Sequence, residues 1–277
     1  MAEQHRVTFE NVPVLVRVEG QPRAPLALFV HPFPLHGGCW ERQIAACAEA
    51  GFRAAAVDAP GFGESPPLGR ALSMDDLAQI FALSMDALNA PRAVLVGCSM
   101  GGYAVMAFHR LFPERLAGGV FMCTRATADS EDQRERREHQ ASVALTQGAA
   151  AVTGSLLPML IEHQELLPRA HALASGATAQ GIADALRGMA ERPDSTASLR
   201  SWKSPALVIG GEKDQLMNAA DIDALAAAIP GARKVVVQDA GHLAFLEQPD
   251  EIDELLVTFL HACQEAHAWG RRASDHR

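Results

Sequence analysis

The chain has 277 residues, 48% of them hydrophobic and 21% charged, which suffices for one large core or one core carrying a modest insertion. A formal charge of −9 with dispersed Lys and Arg excludes a nucleic-acid partner, and no uncharged run approaches the length of a membrane span. The start, MAEQHRVTFENVPV, has no basic segment leading into an apolar run, and Cys39, Cys47, Cys98, Cys123 and Cys263 show no C-x-x-C spacing. A cytoplasmic protein without a disulfide framework, a metal site or an organic cofactor is expected.

In chain order, β-like runs are expected at Arg6 to Phe9, Val14 to Val18, Leu26 to Val30, Phe52 to Asp58, Arg92 to Val96, Gly118 to Cys123, Ala206 to Ile209 and Lys234 to Gln238. Helical patterns fall between them, around Cys39 to Ala50, Met74 to Leu88, Ser99 to Leu111, Ala219 to Ala228 and Glu251 to Glu265. Ser73 with Asp76 predicts a capping box for the second. Alternation of this kind means an α/β fold, a mostly parallel sheet covered by helices, with the opening pair antiparallel. From Arg125 to Lys203 no strand is expected, and helical patterns recur around Asp132 to Leu145, Val152 to Ile161 and Gly181 to Ala190. The mixed-sign stretch Ser130 to Glu138 is read as a solvated helix face and carries no assigned chemistry. Residues 269–277 are polar and expected to be disordered.

Chemistry concentrates at Gly97-Cys98-Ser99-Met100-Gly101, where a strand must deliver a serine to a turn too tight for flanking side chains, with a helix starting behind it. A serine hydroxyl needs a base, and the base an orienting carboxylate. Strand 206–209 runs into Gly211-Glu212-Lys213-Asp214, and strand 234–238 into Asp239-Ala240-Gly241-His242. Ser99, Asp214 and His242 therefore all stand at the carboxyl ends of strands, where open α/β sheets build their sites. Asp214 is preferred over its rival Asp239, and among the other histidines only His31 and His36 share a strand-end position. An oxyanion hole requires two aimed N–H groups. Met100 supplies one at the helix start, and in the loop His31-Pro32-Phe33-Pro34-Leu35 only Phe33, not its flanking prolines, can supply the second.

With the loop His31 to Leu35, the turn Asp58-Ala59-Pro60-Gly61-Phe62-Gly63-Glu64-Ser65, the elbow, the Gly211 to Asp214 loop and Gly241-His242, the chain resembles the α/β-hydrolase family from Leu26 to Leu260. Within that family it looks like small bacterial serine esterases and enol-lactonase-like hydrolases. Pro32 stands where family members commonly have glycine, although Phe33 keeps its N–H. The resemblance implies an eight-stranded core of residues 1–124 and 204–268, with the helical segment 125–203 inserted after strand 6 as a cap.

The function expected is a serine hydrolase that cleaves small-molecule carboxylic esters of small to medium apolar acyl groups through an acyl-enzyme. Trp40, Leu156, Leu157, Met159 and Leu160 are expected to line the acyl pocket. The alternatives are a lactonase or C–C bond hydrolase of the same fold, and a ligand receptor of this fold with slow turnover.

Overall fold

The computed structural model describes residues 2–266 and Trp269. Among these residues eight strands form one sheet: β1 (Glu3–Phe9), β2 (Val12–Glu19), β3 (Leu26–Val30), β4 (Arg53–Val57), β5 (Ala93–Cys98), β6 (Leu116–Met122), β7 (Ala206–Gly211) and β8 (Arg233–Val237). Their spatial order is β1-β2-β4-β3-β5-β6-β7-β8. β2 pairs antiparallel with both β1 and β4, and the strands from β4 to β8 pair parallel. The expected β4 was two residues too long, because Phe52 and Asp58 lie outside the ladder. The expected end tail lies, Trp269 apart, outside the described residues.

β3, β4, β5 and β6 are buried along their whole length, which explains why their sequences read as continuous apolar runs. Alternate side chains serve two cores. Leu26, Leu28 and Val30 of β3 join one, on the face covered by the helices α2 (Met74–Ala87) and α3 (Met100–Leu111). Ala27 and Phe29 join the other, beneath α1 (Glu41–Glu49) and the last helix, Pro249–Glu265. The capping box expected at α2 is present: Ser73 Oγ accepts from Asp76 N at 3.1 Å, and Asp76 Oδ2 accepts from Ser73 N at 2.8 Å.

Between β6 and β7 lie helices only: α4 (Glu131–Gln147), α5 (Ala149–Leu160), α6 (Leu167–Ala174), α7 (Ala179–Ala190) and the short α8 (Thr196–Leu199). α6 and α8 have no counterpart among the expected elements. α7 is tied to the core through the loop after β4: Leu72 N donates to Asp184 O at 2.9 Å, Gly69 N to Asp184 Oδ2 at 3.0 Å and Thr178 N to Gly61 O at 2.9 Å. The segment also meets the core in its middle, at the end of α5, where Leu243 N donates to Leu160 O at 3.1 Å. α9 (Ala219–Ala228), α10 (Ala244–Glu247) and α11 (Pro249–Glu265) complete the chain.

The register brings the functional loops to one edge. Val30 pairs with Gly97, Cys98 with Met122, Met122 with Ile209 and Gly211 with Val237. β3 is followed in space by β4 on one side and β5 on the other, so the sheet order reverses there, and a crevice opens beyond the carboxyl ends of these strands.

Candidate active site

Ser99 occupies φ 52°, ψ −113°, a backbone region that L side chains rarely adopt, between the end of β5 and the first residue of α3. The neighbourhood holds that strain in place. Ser99 N donates to Met122 O at 2.9 Å, and Thr124 Oγ1 donates to Ser99 O at 2.9 Å. The flanking glycines are demanded by contact: a Cβ at Gly97 would sit 2.3 Å from Gly101 O, and one at Gly101 would sit 2.4 Å from Val30 O. Strand and helix approach so closely that the turn has only one way to project the Ser99 side chain, which is half-buried at the floor of a cavity.

His242, 1% exposed, follows β8 and lies on the same floor. Its Nδ1 is 2.8 Å from Asp214 Oδ2. Asp214 Oδ1 accepts from Leu216 N at 2.8 Å and Met217 N at 3.0 Å, so both carboxylate oxygens are engaged. Burial pushes the Asp214 carboxyl up, but the His242 imidazole and the two N–H donors outweigh it and hold the group below the usual carboxylate range. An ionised Asp214 fixes the tautomer with the proton on Nδ1, which leaves Nε2 as an acceptor. Asp239 does not touch His242. It is exposed and bound to Lys213 Nζ at 2.5 Å.

Cys123 Sγ and one ligand atom each of Asp214 and His242 lie within 4.8 Å of one another, a trio of metal-ligand type. It does not fit an ion. Nδ1 and Oδ2 are in direct hydrogen-bond contact, and the Cys98 thiol together with burial pushes the Cys123 thiol well up, away from the thiolate a metal requires. His31, the other strand-end histidine, is structural: Nε2 accepts from Ala59 N at 3.0 Å, Nδ1 faces Pro32 O at 3.0 Å, and burial pushes its pKa down to about 4. His36 caps Gly38 N through Nδ1 at 3.0 Å.

The cavity has a volume of about 230 Å³. Phe33 lines it, and among the described residues the Phe33 N–H has no acceptor within the chain. Met100, as the first residue of α3, has no intrahelical acceptor for its own N–H. Of the five expected pocket residues, Leu156 and Leu160 line the cavity, joined by Leu186, Met189, Leu216 and Met217. The other three are placed elsewhere. Trp40 is fully buried in the opposite core, 4.1 Å between ring centroids from Phe245, Leu157 is buried in that core as well, and Met159 is 48% exposed.

One wall was missed from sequence. The stretch read as a solvated face presents Gln133, Arg136 and Arg137 to the cavity, Gln140 beyond it continues the row, and Arg125 and Asp129 meet them. The spacing 133, 136, 137, 140 is one stripe of a helix, and that periodicity was the available signal. Glu247 was missed too. This buried carboxylate accepts Gly241 N at 3.0 Å, Glu162 N at 2.8 Å and His163 N at 3.0 Å, joining the His242 loop to the turn after α5 of the helical segment.

The family model for the alpha/beta hydrolase fold matches residues 25–249. The chain is 29% identical over 252 residues to a pimeloyl-[acyl-carrier protein] methyl ester esterase of Xanthomonas campestris pv. campestris, covering 86% of this chain and 96% of that protein. It is similar in structure to a thermophilic esterase from Thermogutta terrifontis, with TM-score 0.89 and 31% identity over 95% of this chain and 99% of that one. It is also similar to the enol-lactonase from Burkholderia xenovorans LB400, with TM-score 0.85 and 25% identity over 93% and 100%.

Proposed function

The chain belongs to the α/β-hydrolase family and is an enzyme of the hydrolase class, and from that premise we propose that it is a serine esterase acting on small-molecule carboxylic esters through an acyl-enzyme. The observation that carries this reading is the 2.8 Å contact of His242 Nδ1 with the doubly anchored Asp214, on a cavity floor shared with Ser99. In the proposed mechanism Ser99 Oγ attacks the ester carbonyl while His242 Nε2 takes its proton. The N–H groups of Met100 and Phe33 stabilise the oxyanion, each lowering the barrier by about 3 kcal/mol. The protonated imidazole, stabilised by ionised Asp214, then passes its proton to the leaving alkoxide. Water, deprotonated by the same Nε2, attacks the acyl-enzyme, and the second tetrahedral intermediate releases the acid and regenerates Ser99. Every step is a proton transfer or an acyl transfer that these side chains perform on their own.

In this reading residues 125–203 form the cap, and 1–124 with 204–268 the core. The acyl group lies against Leu156, Leu160, Leu186 and Met189, supported by their place in the cavity wall. We read the enzyme as cytoplasmic, in keeping with five buried, unpaired cysteines. No helix among the described residues is long and apolar enough to cross a membrane.

Fluorophosphonate labelling followed by peptide mass spectrometry tests the assignment. Labelling at Ser99 alone, with hydrolysis of 4-nitrophenyl butyrate that disappears in Ser99→Ala, is the expected result. Labelling at another serine overturns it. Failure to turn over any ester while γ- and δ-lactones are hydrolysed would instead assign a lactonase, and binding without turnover a receptor.

A further inference from the structure

The wall of the cavity opposite in character to its leucines carries more guanidinium than its neighbours can satisfy. Asp129, its side chain fully buried, receives Arg125 Nη2 at 2.9 Å, Arg192 Nη1 at 2.8 Å and Arg137 through Nε. Three cations share one carboxylate. Asp129 remains ionised, since Arg137 and Arg192 overcome the upward push of burial.

The remaining acceptors are few. Gln133 Oε1 takes Arg125 Nη2 at 3.0 Å, Thr127 O takes Arg192 Nη2 at 2.9 Å, and Met189 O takes Arg192 Nη1 at 2.8 Å. The face of Arg192 is covered by the Tyr103 ring, 4.0 Å from its centroid. Arg137 Nη1 has only the soft Met189 Sδ at 3.5 Å beside it. Five N–H groups per guanidinium against about four lone-pair positions on Asp129 leave donors in surplus. Among the described residues Arg125 Nε and Arg192 Nε are buried without a partner, as are Arg53 Nε and Arg92 Nε away from the cavity. Arg136, on the same wall, has no carboxylate within 4.0 Å among the described residues. In a chain of net charge −9, a positive wall inside the serine's cavity is a local excess, not a reflection of overall composition.

We propose that Arg125, Arg136 and Arg137 form a carboxylate subsite, so that the preferred substrates are esters carrying a free carboxylate separated from the ester by an apolar spacer. The proposal rests on the esterase reading and names its substrate class. The spacer lies along Leu156, Leu186 and Met189, and the carboxylate supplies the acceptor that the arginine wall lacks. Planar, bidentate recognition of a carboxylate is what a guanidinium does best.

The test compares kcat/KM for two matched pairs. On the acyl side, 4-nitrophenyl hydrogen adipate is set against 4-nitrophenyl hexanoate; on the alcohol side, the acetate ester of 6-hydroxyhexanoic acid is set against hexyl acetate. At least one pair should favour the charged ester about 10-fold or more at low salt, and the identity of that pair says which part of the ester faces the arginines. The preference should shrink with added salt and fall towards unity in Arg136→Gln, whose exposed position spares the fold, and in Arg125→Gln. Direct binding is read separately by calorimetry on the Ser99→Ala variant, where adipate should bind at least about 10-fold tighter than hexanoate. Charged-to-neutral ratios near or below one in both pairs, or ratios that the arginine variants leave unchanged, overturn the subsite while leaving the esterase intact. If neither kind of ester is turned over, the esterase reading fails by itself, and the adipate-to-hexanoate comparison still decides the subsite.

Discussion

Glu247 is the residue whose replacement most directly tests how the site is held. Its Oε1 accepts the N–H of Gly241, next to His242, and its Oε2 accepts the N–H groups of Glu162 and His163. Glu247→Gln turns one acceptor oxygen into a donor, so either the Gly241 N–H or the 162–163 pair faces an NH2 group. A buried donor left unpaired costs about 1–3 kcal/mol, and about 2 kcal/mol is expected here. In a domain of this size that lowers Tm by roughly 4–8 °C. Glu247→Ala strands all three donors and should cost about twice as much. The catalytic effect is separable from the stability effect. His242 is displaced at one end only, since Asp214 still holds Nδ1, and a shift on the order of 1 Å costs up to about 100-fold in rate. We therefore expect kcat for 4-nitrophenyl butyrate to fall by about 10- to 100-fold at 20 °C, where the variant is folded, with KM nearly unchanged. Differential scanning fluorimetry and steady-state kinetics read both quantities. A Tm unchanged to within about 1 °C together with wild-type kcat would refute the idea that this carboxylate joins the His242 loop to the helical segment.

For the serine unit, Ser99→Ala and His242→Ala should each lower kcat by about four to six orders of magnitude, Asp214→Asn somewhat less, and the double variants no further than the singles. Asp239→Asn, which breaks only the exposed contact with Lys213, should be mild, and a larger loss there than in Asp214→Asn would reassign the acid. Leu156→Ala should alter the acyl-length profile of kcat/KM, whereas Leu157→Ala should mainly lower stability, by about 2–5 kcal/mol, and Met159→Ala should do neither. Acid should act on two buried groups in turn. His31, pushed down by burial to about 4, contributes stability that is complete above about 6.5 and lost as the pH falls towards 4. Asp58, where His36, Arg17 and Glu64 N overcome the burial that pushes it up and bring it to about 2, contributes stability lost only from about pH 4 down to 2. Urea midpoints between pH 7 and 4 should consequently flatten in His31→Asn, and an unchanged slope would remove His31 as the origin of the loss.

Strand positions were readable because the buried parallel strands are unbroken apolar runs closed by turn residues. Their ends were not: Phe52 and Asp58 continue the β-like composition of β4 but leave the ladder, since pairing is set by β2 and β3 rather than by propensity. That Ser99, Asp214 and His242 would come to one edge of the sheet was legible for a topological reason. Each follows a strand directly, and parallel order alone brings strand ends together. The pocket was not legible, and α5 shows why. Its sequence AAAVTGSLLPML is apolar nearly all round, so periodicity gives no phase to say that Leu156 and Leu160 line the cavity while Leu157 does not. α4 has the opposite ambiguity, polar nearly all round, and its cavity stripe was hidden among exposed charges. Glu247 was invisible because its partners Glu162 and His163 lie more than eighty residues away in sequence.

The two kinds of legibility divide the chemistry from the selectivity. In the proposed mechanism the groups that move protons stand on loops pinned by the sheet: Ser99 by Met122 O and Thr124, His242 by Asp214 and, through Gly241, by Glu247. In the same reading the groups that meet the rest of the substrate belong mostly to the helices and turns between β6 and β7, which are tied to the rest of the chain by bonds at Leu72, Gly61, Gly69, Leu243 and Glu247. Displacing the first set changes the geometry of the reacting atoms, so its effect falls on kcat for every ester alike. Changing the second alters contacts made equally in ground and transition states, so its effect falls on KM and on the ratio between esters. Substitutions at Arg136 or Leu156 should therefore reorder substrates without abolishing turnover. Substitutions around Gly241 should slow all substrates by a common factor, and a common factor is what no rearrangement of the helical segment alone would give.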